Sequence, residues 1–132
     1  MTQTSPKKTV RYDPRYLEGI RWFNNRNFFQ AHETWEEIWM DRQDESKRFY
    51  QGLIQAAVCL HHFERGNIRG ARKLYHSSRR YLKAYCPSYQ GLDLDRLLDD
   101  MTVCCQEIID QADQFPKGKL DPQQVPKIYL EA

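Results

Sequence analysis

A histidine and a glutamate one helical turn apart, His32 and Glu36, are the residues whose types and spacing could do chemistry in this 132-residue chain. At i, i+4 spacing their side chains can meet on one face of a helix. On a wheel advancing about 100° per residue, Phe28, Trp35 and Trp39 fall together, with Ala31 and Ile38 on one flank and Phe29 and Met40 on the other. His32 and Glu36 lie inside that apolar arc, and Glu33 sits at its edge. A carboxylate in such a stripe is costly unless paired, so partners are expected. The following helix offers them. From Phe49 to Phe63 there is no Asp, Glu, Lys or Arg in fifteen residues, which marks the most buried helix. Its polar residues Gln51, Gln55 and His62 share one face within about 40° on the same wheel, with Arg48 close by, while His61 points elsewhere.

Three chemistries suit such a cluster. It can be a satisfied polar network that sets helix register. It can be a small-ligand pocket or acid–base site, because buried His and Glu have movable pKa values. It can also be a divalent-metal site in which His32, Glu36 and His62 are the ligands. The run His32-Glu33-x-x-Glu36 differs from the zinc-protease pattern H-E-x-x-H in its last residue. The Glu-x-x-His pair of di-iron bundles is absent.

A second feature is electrostatic. Between Ile68 and Tyr85 there are six Lys or Arg residues and no acid. Arg69, Arg72, Lys73, Arg79, Arg80 and Lys83 fall within an arc of about 120°, joined by His76. A solvated face ordinarily mixes signs, whereas this one repels itself and calls for an anion over it. Helix five could supply the anion internally through Asp93, Asp95, Asp99, Asp100, Glu107, Asp110 and Asp113. Otherwise Arg69, Arg72, His76, Arg79 and Lys83 are the contact for an anionic partner, nucleic acid included, or for another protein. No known nucleic-acid recognition motif accompanies the stripe.

The elements that must position these groups are helices. Asp13-Pro14 opens helix one, about Pro14 to Asn24. Asn27 caps helix two, about Phe28 to Arg42, and Ser46 caps helix three, which Gly66-Asn67 ends near Arg65. Asn67 caps helix four, about Ile68 to Tyr85, ahead of Pro87. Asp93 opens helix five, which ends near Gln114. Residues 1–12 read as a flexible arm, 13–114 as the helical domain, and 115–132 as an extended tail whose Val125, Ile128 and Leu130 can dock on it. Phe23-Asn24-Asn25-Arg26-Asn27 leading to Ala31 resembles Phe63-Glu64-Arg65-Gly66-Asn67 leading to Ala71, a spacing of 40 residues. The fold expected is all-α, a compact five-helix bundle built from two similar hairpins plus a C-terminal helix, somewhat like tetratricopeptide units.

Bulk properties narrow the class. Apolar residues make up 40% and the net charge is only +2, so there is ample core for one domain and no global pull toward a polyanion. No apolar run approaches the roughly 18 residues that span a bilayer, so no membrane partner is expected. The polar Met1–Lys8 stretch lacks a signal-peptide core, and a cytoplasmic location is the expectation. Cys59, Cys86, Cys104 and Cys105 contain no C-x-x-C pair, and read as reduced thiols.

The chain resembles the family known as domain of unknown function 309. The resemblance rests on Phe28-Phe29-Gln30-Ala31-His32-Glu33 leading to Glu36 and Trp39. It continues through Gln51-Gly52-Leu53-Ile54-Gln55-Ala56, His62, Gly66-Asn67 and Gly70-Ala71, then Tyr85, Pro87, Tyr89, Gly91 and Asp93. It extends over about residues 12 to 100. It implies a compact all-α bundle and no particular activity, with His32, Glu33, Glu36, Trp39, Gly52, Gln55, Asn67, Gly70 and Ala71 as signature positions. The basic stripe is not part of that pattern.

Overall fold

The computed structural model describes residues 11–109 and 118–131. Most of the expected arm, and the end of helix five with Asp110 and Asp113, lie outside them. Five helices follow in order: α1 (Pro14–Asn24), α2 (Phe28–Asp41), α3 (Ser46–Glu64), α4 (Ile68–Lys83) and α5 (Leu94–Ile109). A two-residue antiparallel pair, β1 (Ser88–Tyr89) with β2 (Leu92–Asp93), joins α4 to α5. The all-α five-helix arrangement is therefore present. Among the described residues no helix is long and apolar enough to cross a membrane.

The helix starts follow local chemistry. Asp13 accepts from the Arg15 N–H at 2.9 Å, with Pro14 in the first turn where its missing N–H costs nothing. Asn67 accepts from the Gly70 N–H at 3.1 Å. Asp93 accepts from the Arg96 N–H at 3.0 Å. Two expected caps differ. Asn27 makes no side-chain cap bond. Ser46 is already the first residue of α3, and Asp44 accepts from its N–H at 3.0 Å.

The two hairpins share one turn. Asn27 N–H reaches the Trp22 carbonyl at 2.8 Å and Asn67 N–H reaches the His62 carbonyl at 2.8 Å. Ala31 N–H and Ala71 N–H then bond the Asn27 and Asn67 carbonyls, each at 3.0 Å. Both alanines are fully buried. The residue before each asparagine is left-handed, Gly66 at φ 82° and Arg26 at φ 65°. Glycine suits that conformation; arginine is strained in it.

Helix α3 is the spine. It packs on α2 along one side and α4 along the other, with Leu53, Ala57, Cys59 and Leu60 wholly buried. Two glycines set the helix spacing. A Cβ on Gly19 would fall 2.1 Å from Trp35 Nε1, and a Cβ on Gly52 would fall 2.6 Å from Leu82 Cγ. Trp35, fully buried, donates its indole N–H to the Tyr16 carbonyl at 3.2 Å. At one end, Tyr16 and Tyr50 converge on Gln90 of the β1–β2 turn. Tyr16 donates to its carbonyl at 3.0 Å and Tyr50 to its Oε1 at 2.9 Å.

The tail returns across α1. Both amide atoms of Asn24 bond the Ile128 backbone, at 2.8 and 2.7 Å, and the side chains of Leu120 and Ile128 are buried. All four cysteines are free thiols, three of them buried, with Cys59 Sγ donating to the Ala71 carbonyl at 3.2 Å.

Two outcomes test this picture. Arg26→Gly relieves the left-handed strain and should raise the unfolding free energy by about 0.5–1 kcal/mol, whereas Gly52→Ala should lower it by about 1–3 kcal/mol through overpacking. Both are measurable by urea denaturation. Burial pushes the Tyr50 phenol up to about 12, and burial also drives Tyr16 upward. The unfolded chain then loses these protons near pH 10 while the folded one keeps them. Stability should therefore fall as pH rises from about 10 toward 12, and Tyr50→Phe should flatten that fall.

Candidate functional site

Helix α2 is rotated relative to the expected stripe. Its buried side chains are Phe28, Ala31, Thr34, Trp35 and Ile38, an arc of about 120°. Phe29 and Met40 are exposed. Counting those two as core widened the sequence-based stripe toward His32 and Glu36. Thr34, outside that expected stripe, is buried and borders α1. The physical reason is that α2 is sandwiched between two helices, so its apolar contact faces them and not the outer Phe29–Met40 edge.

His32 and Glu36 do meet, with Nε2 and Oε2 3.3 Å apart, but the Glu36 side chain is 49% exposed and that of His32 21%. The expected buried pair is a surface contact. His32 Nδ1 faces the Phe29 carbonyl at 3.2 Å, and its ring lies 5.3 Å from that of Phe29. Glu33 and Glu36 instead line a cleft of about 420 Å3 between α1 and α2, together with Glu18, Trp22, Thr34 and Glu37.

The rest of the expected cluster is dispersed. His62 belongs to the α3–α4 turn, where Asn67 Nδ2 donates to its Nδ1 at 3.2 Å. Burial, and then the neighbouring His61, hold its pKa below the usual imidazole range. His61, expected to point away, stacks 5.5 Å from Phe29. Among the described residues no three His, Cys, Asp or Glu side chains converge as metal ligands. His32, Glu36 and His62 thus do not assemble the expected metal site. Gln55 is half-buried on α3, and its Oε1 is out of water with no hydrogen-bond donor. Gln51 lines a separate notch with Trp39, Lys47, Arg48 and Tyr81.

The basic residues share one side of α4, with Arg72 and Arg79 of the expected contact half-buried. On α4 the buried side is Ile68, Ala71, Tyr75, Ser78 and Leu82, and Arg69, Lys73, His76, Arg80 and Lys83 are exposed opposite it. Helix α5 packs beside α4, with Thr102 at the contact. The Tyr75 hydroxyl meets Thr102 Oγ1 at 2.6 Å, and Arg79 Nη1 donates to the same oxygen at 3.3 Å. Asp95 and Asp99 are exposed, while Asp100 pairs with Arg96 on its own helix at 3.7 Å. Among the described residues, Arg72, Lys73, Arg79, Arg80 and Lys83 form no ion pair. Arg72 also keeps Nη1 buried with no acceptor.

The Trp39–Tyr81 notch escaped sequence reasoning because Trp39 was counted in the apolar stripe of helix two and Tyr81 lies on another helix. The available signal was the flanking Lys47-Arg48 pair at the start of a helix that carries no further Asp, Glu, Lys or Arg until Glu64. Because the His32–Glu36 contact is open to water, Glu36→Gln should change the unfolding free energy by no more than about 0.5 kcal/mol; a loss of several kcal/mol in denaturant titration would restore the buried-cluster reading.

Comparison with known proteins adds two uncharacterized relatives. The chain is 37% identical over 101 residues to the uncharacterized protein YpuF of Bacillus subtilis (strain 168), covering 74% of this chain and 58% of that protein. It is 34% identical over 77 residues to an uncharacterized protein of Aquifex aeolicus (strain VF5), covering 57% of this chain and 23% of that protein. The chain thus spans little more than half the length of the first relative and under a quarter of the second. The family match begins at the buried Tyr16 and stops midway along α4, a narrower span than the motif resemblance. Residues 16–74 carry a match to the family described as Domain of unknown function (DUF309), the one its motifs resemble.

Proposed function

We propose that this domain is a helical interaction module that docks its α4 surface on an anionic chain, with nucleic acid as the partner the charge pattern suits. The observation that carries the reading is the run of cations from Arg72 to Lys83. Arg72, Lys73, Arg79, Arg80 and Lys83 have no ionic partner among the described residues, although an acid-rich helix packs directly beside them. At the contact α5 presents Thr102.

The dimensions agree. From Arg69 to Lys83 the helix advances about 21 Å at 1.5 Å per residue, enough to face about six phosphates of one strand at roughly 3.4 Å spacing. The positive charges fall in two groups, at Arg69, Arg72 and Lys73 and at Arg79, Arg80 and Lys83, on one side of the helix. The same reading places the domain in the reducing cytoplasm, where four free thiols persist.

A second reading keeps one specific observation, the orphaned Gln55 Oε1. In it, a small polar donor binds beside Gln55. Thermal-shift screening of wild type against Gln55→Leu would support it only through stabilisation that wild type shows and the variant lacks.

The principal test is fluorescence anisotropy with a labelled oligonucleotide at low salt. Binding should weaken as salt rises, with a log–log slope of about −0.7 for each phosphate contacted in a single strand. Lys73→Gln, Arg80→Gln and Lys83→Gln combined remove exposed charge without touching the core, and should weaken binding at least about tenfold. No binding at low salt, or salt-independent binding, overturns the reading.

A further inference from the structure

At the C-terminal end of the stripe, α4 borders a notch of about 220 Å3 lined by Trp39 of α2, Lys47, Arg48 and Gln51 of α3, and Tyr81 of α4. The two rings are half-buried, and each carries a cation. Lys47 Nζ lies 4.4 Å from the Trp39 ring centroid, and Arg48 Cζ lies 5.0 Å from that of Tyr81. These contacts hold both rings at the surface and keep the Arg48 plane against an aromatic face. The notch is smaller than the roughly 300–1,000 Å3 of sites that enclose a whole small molecule, so its natural occupant is one flat group on a longer chain.

Its place relative to the stripe says which chain. Arg80 and Lys73 form the edge of the stripe nearest Tyr81, about 80–100° from it around the helix. A strand whose phosphates follow that edge brings an attached base to Tyr81 and Trp39. There the rings and the Arg48 guanidinium offer stacking faces, and the Gln51 amide offers both a donor and an acceptor to a base edge. A base can enter only if it is unstacked from its neighbours, which a duplex does not permit without local opening.

We infer that the Trp39–Tyr81 notch is a base-stacking subsite, and that the partner of the basic helix is single-stranded nucleic acid. The inference rests on the proposed docking of α4, and it adds the strandedness and the residues that read it. Stacking platforms beside a cationic track are the general means of binding single strands without strict sequence preference.

The test uses the full chain with a labelled single-stranded DNA 20-mer, an RNA of the same sequence, and the corresponding DNA duplex. Wild type should bind at least one single strand about tenfold or more tightly than the duplex. Trp39→Leu and Tyr81→Leu should each abolish most of that preference, while Trp39→Phe and Tyr81→Phe should retain it. Circular dichroism confirms the fold of each variant. Oligonucleotide binding should also quench tryptophan emission in wild type, and this quench should be lost in Trp39→Phe even though binding persists. Equal affinity for single strand and duplex, unchanged by Trp39→Leu or Tyr81→Leu but lost with the stripe cations, overturns the stacking subsite and leaves the α4 docking intact. No binding to any of the three overturns both. A preference for RNA over single-stranded DNA supports the subsite and identifies the source of the strand.

Discussion

Between α3 and α4 there is no room for a single methyl group at position 52. A Cβ there would press on Leu82 and come within 3.1 Å of the Tyr81 Cβ. That close approach lets α4 lie against the spine helix along its length, burying Ile68, Ala71, Tyr75 and Leu82. It also decides where the opposite face of α4 must go. With the apolar side committed to α3, the opposite face of α4 turns toward solvent and α5, where Thr102 meets Arg79. The Tyr81 ring is carried to the edge of α3, across from Trp39, by the same contact. Stability and the proposed binding surface therefore share one cause, the absence of a side chain at Gly52.

The repeated turn explains how the other half is assembled. In both hairpins an asparagine follows a left-handed residue, and a fully buried alanine lies four positions beyond it. The small alanine lets the second helix cross the first closely, and the turn geometry fixes the crossing. The two copies have diverged in use. In the first, α2 is enclosed by α1 and α3 and turns its acidic residues into the cleft beside α1. In the second, α4 packs on α3 and beside α5 and leaves Lys73, His76, Arg80 and Lys83 exposed. Two hairpins of one design therefore present opposite charge on different surfaces, which explains why a nearly neutral chain carries a strongly basic helix. The strained Arg26 shows that the first turn tolerates a residue which the geometry alone would replace with glycine.

At the far end of the bundle, Gln90 satisfies Tyr16 and Tyr50 together, tying α1 and α3 to the turn that precedes α5. Neither tyrosine can ionise in place without losing burial, and this end consequently behaves as a neutral polar lock. The tail adds a second tie through Asn24 and Ile128. Both contacts join residues far apart in sequence, and they tie the bundle at one end and at α1.

Much of this was legible in the residues themselves. Helix number and most ends follow from local signals: Asp13-Pro14, Gly66-Asn67, Pro87, and the uncharged run from Phe49 to Phe63. The likeness of the two turns was readable because a left-handed position and a close crossing each demand particular small or amide residues. The basic stripe was readable because charge periodicity on one helix needs no knowledge of its neighbours. What tertiary structure alone decided was which side of each helix faces inward. His32 and Glu36 still meet, since i, i+4 spacing is local, but their exposure depended on α2 being sandwiched with Thr34 inward and Phe29 and Met40 outward. The failure of His62 to join His32 and Glu36, and the lining of one notch by Trp39 and Tyr81, arise between helices, where spacing along the chain carries no information about distance.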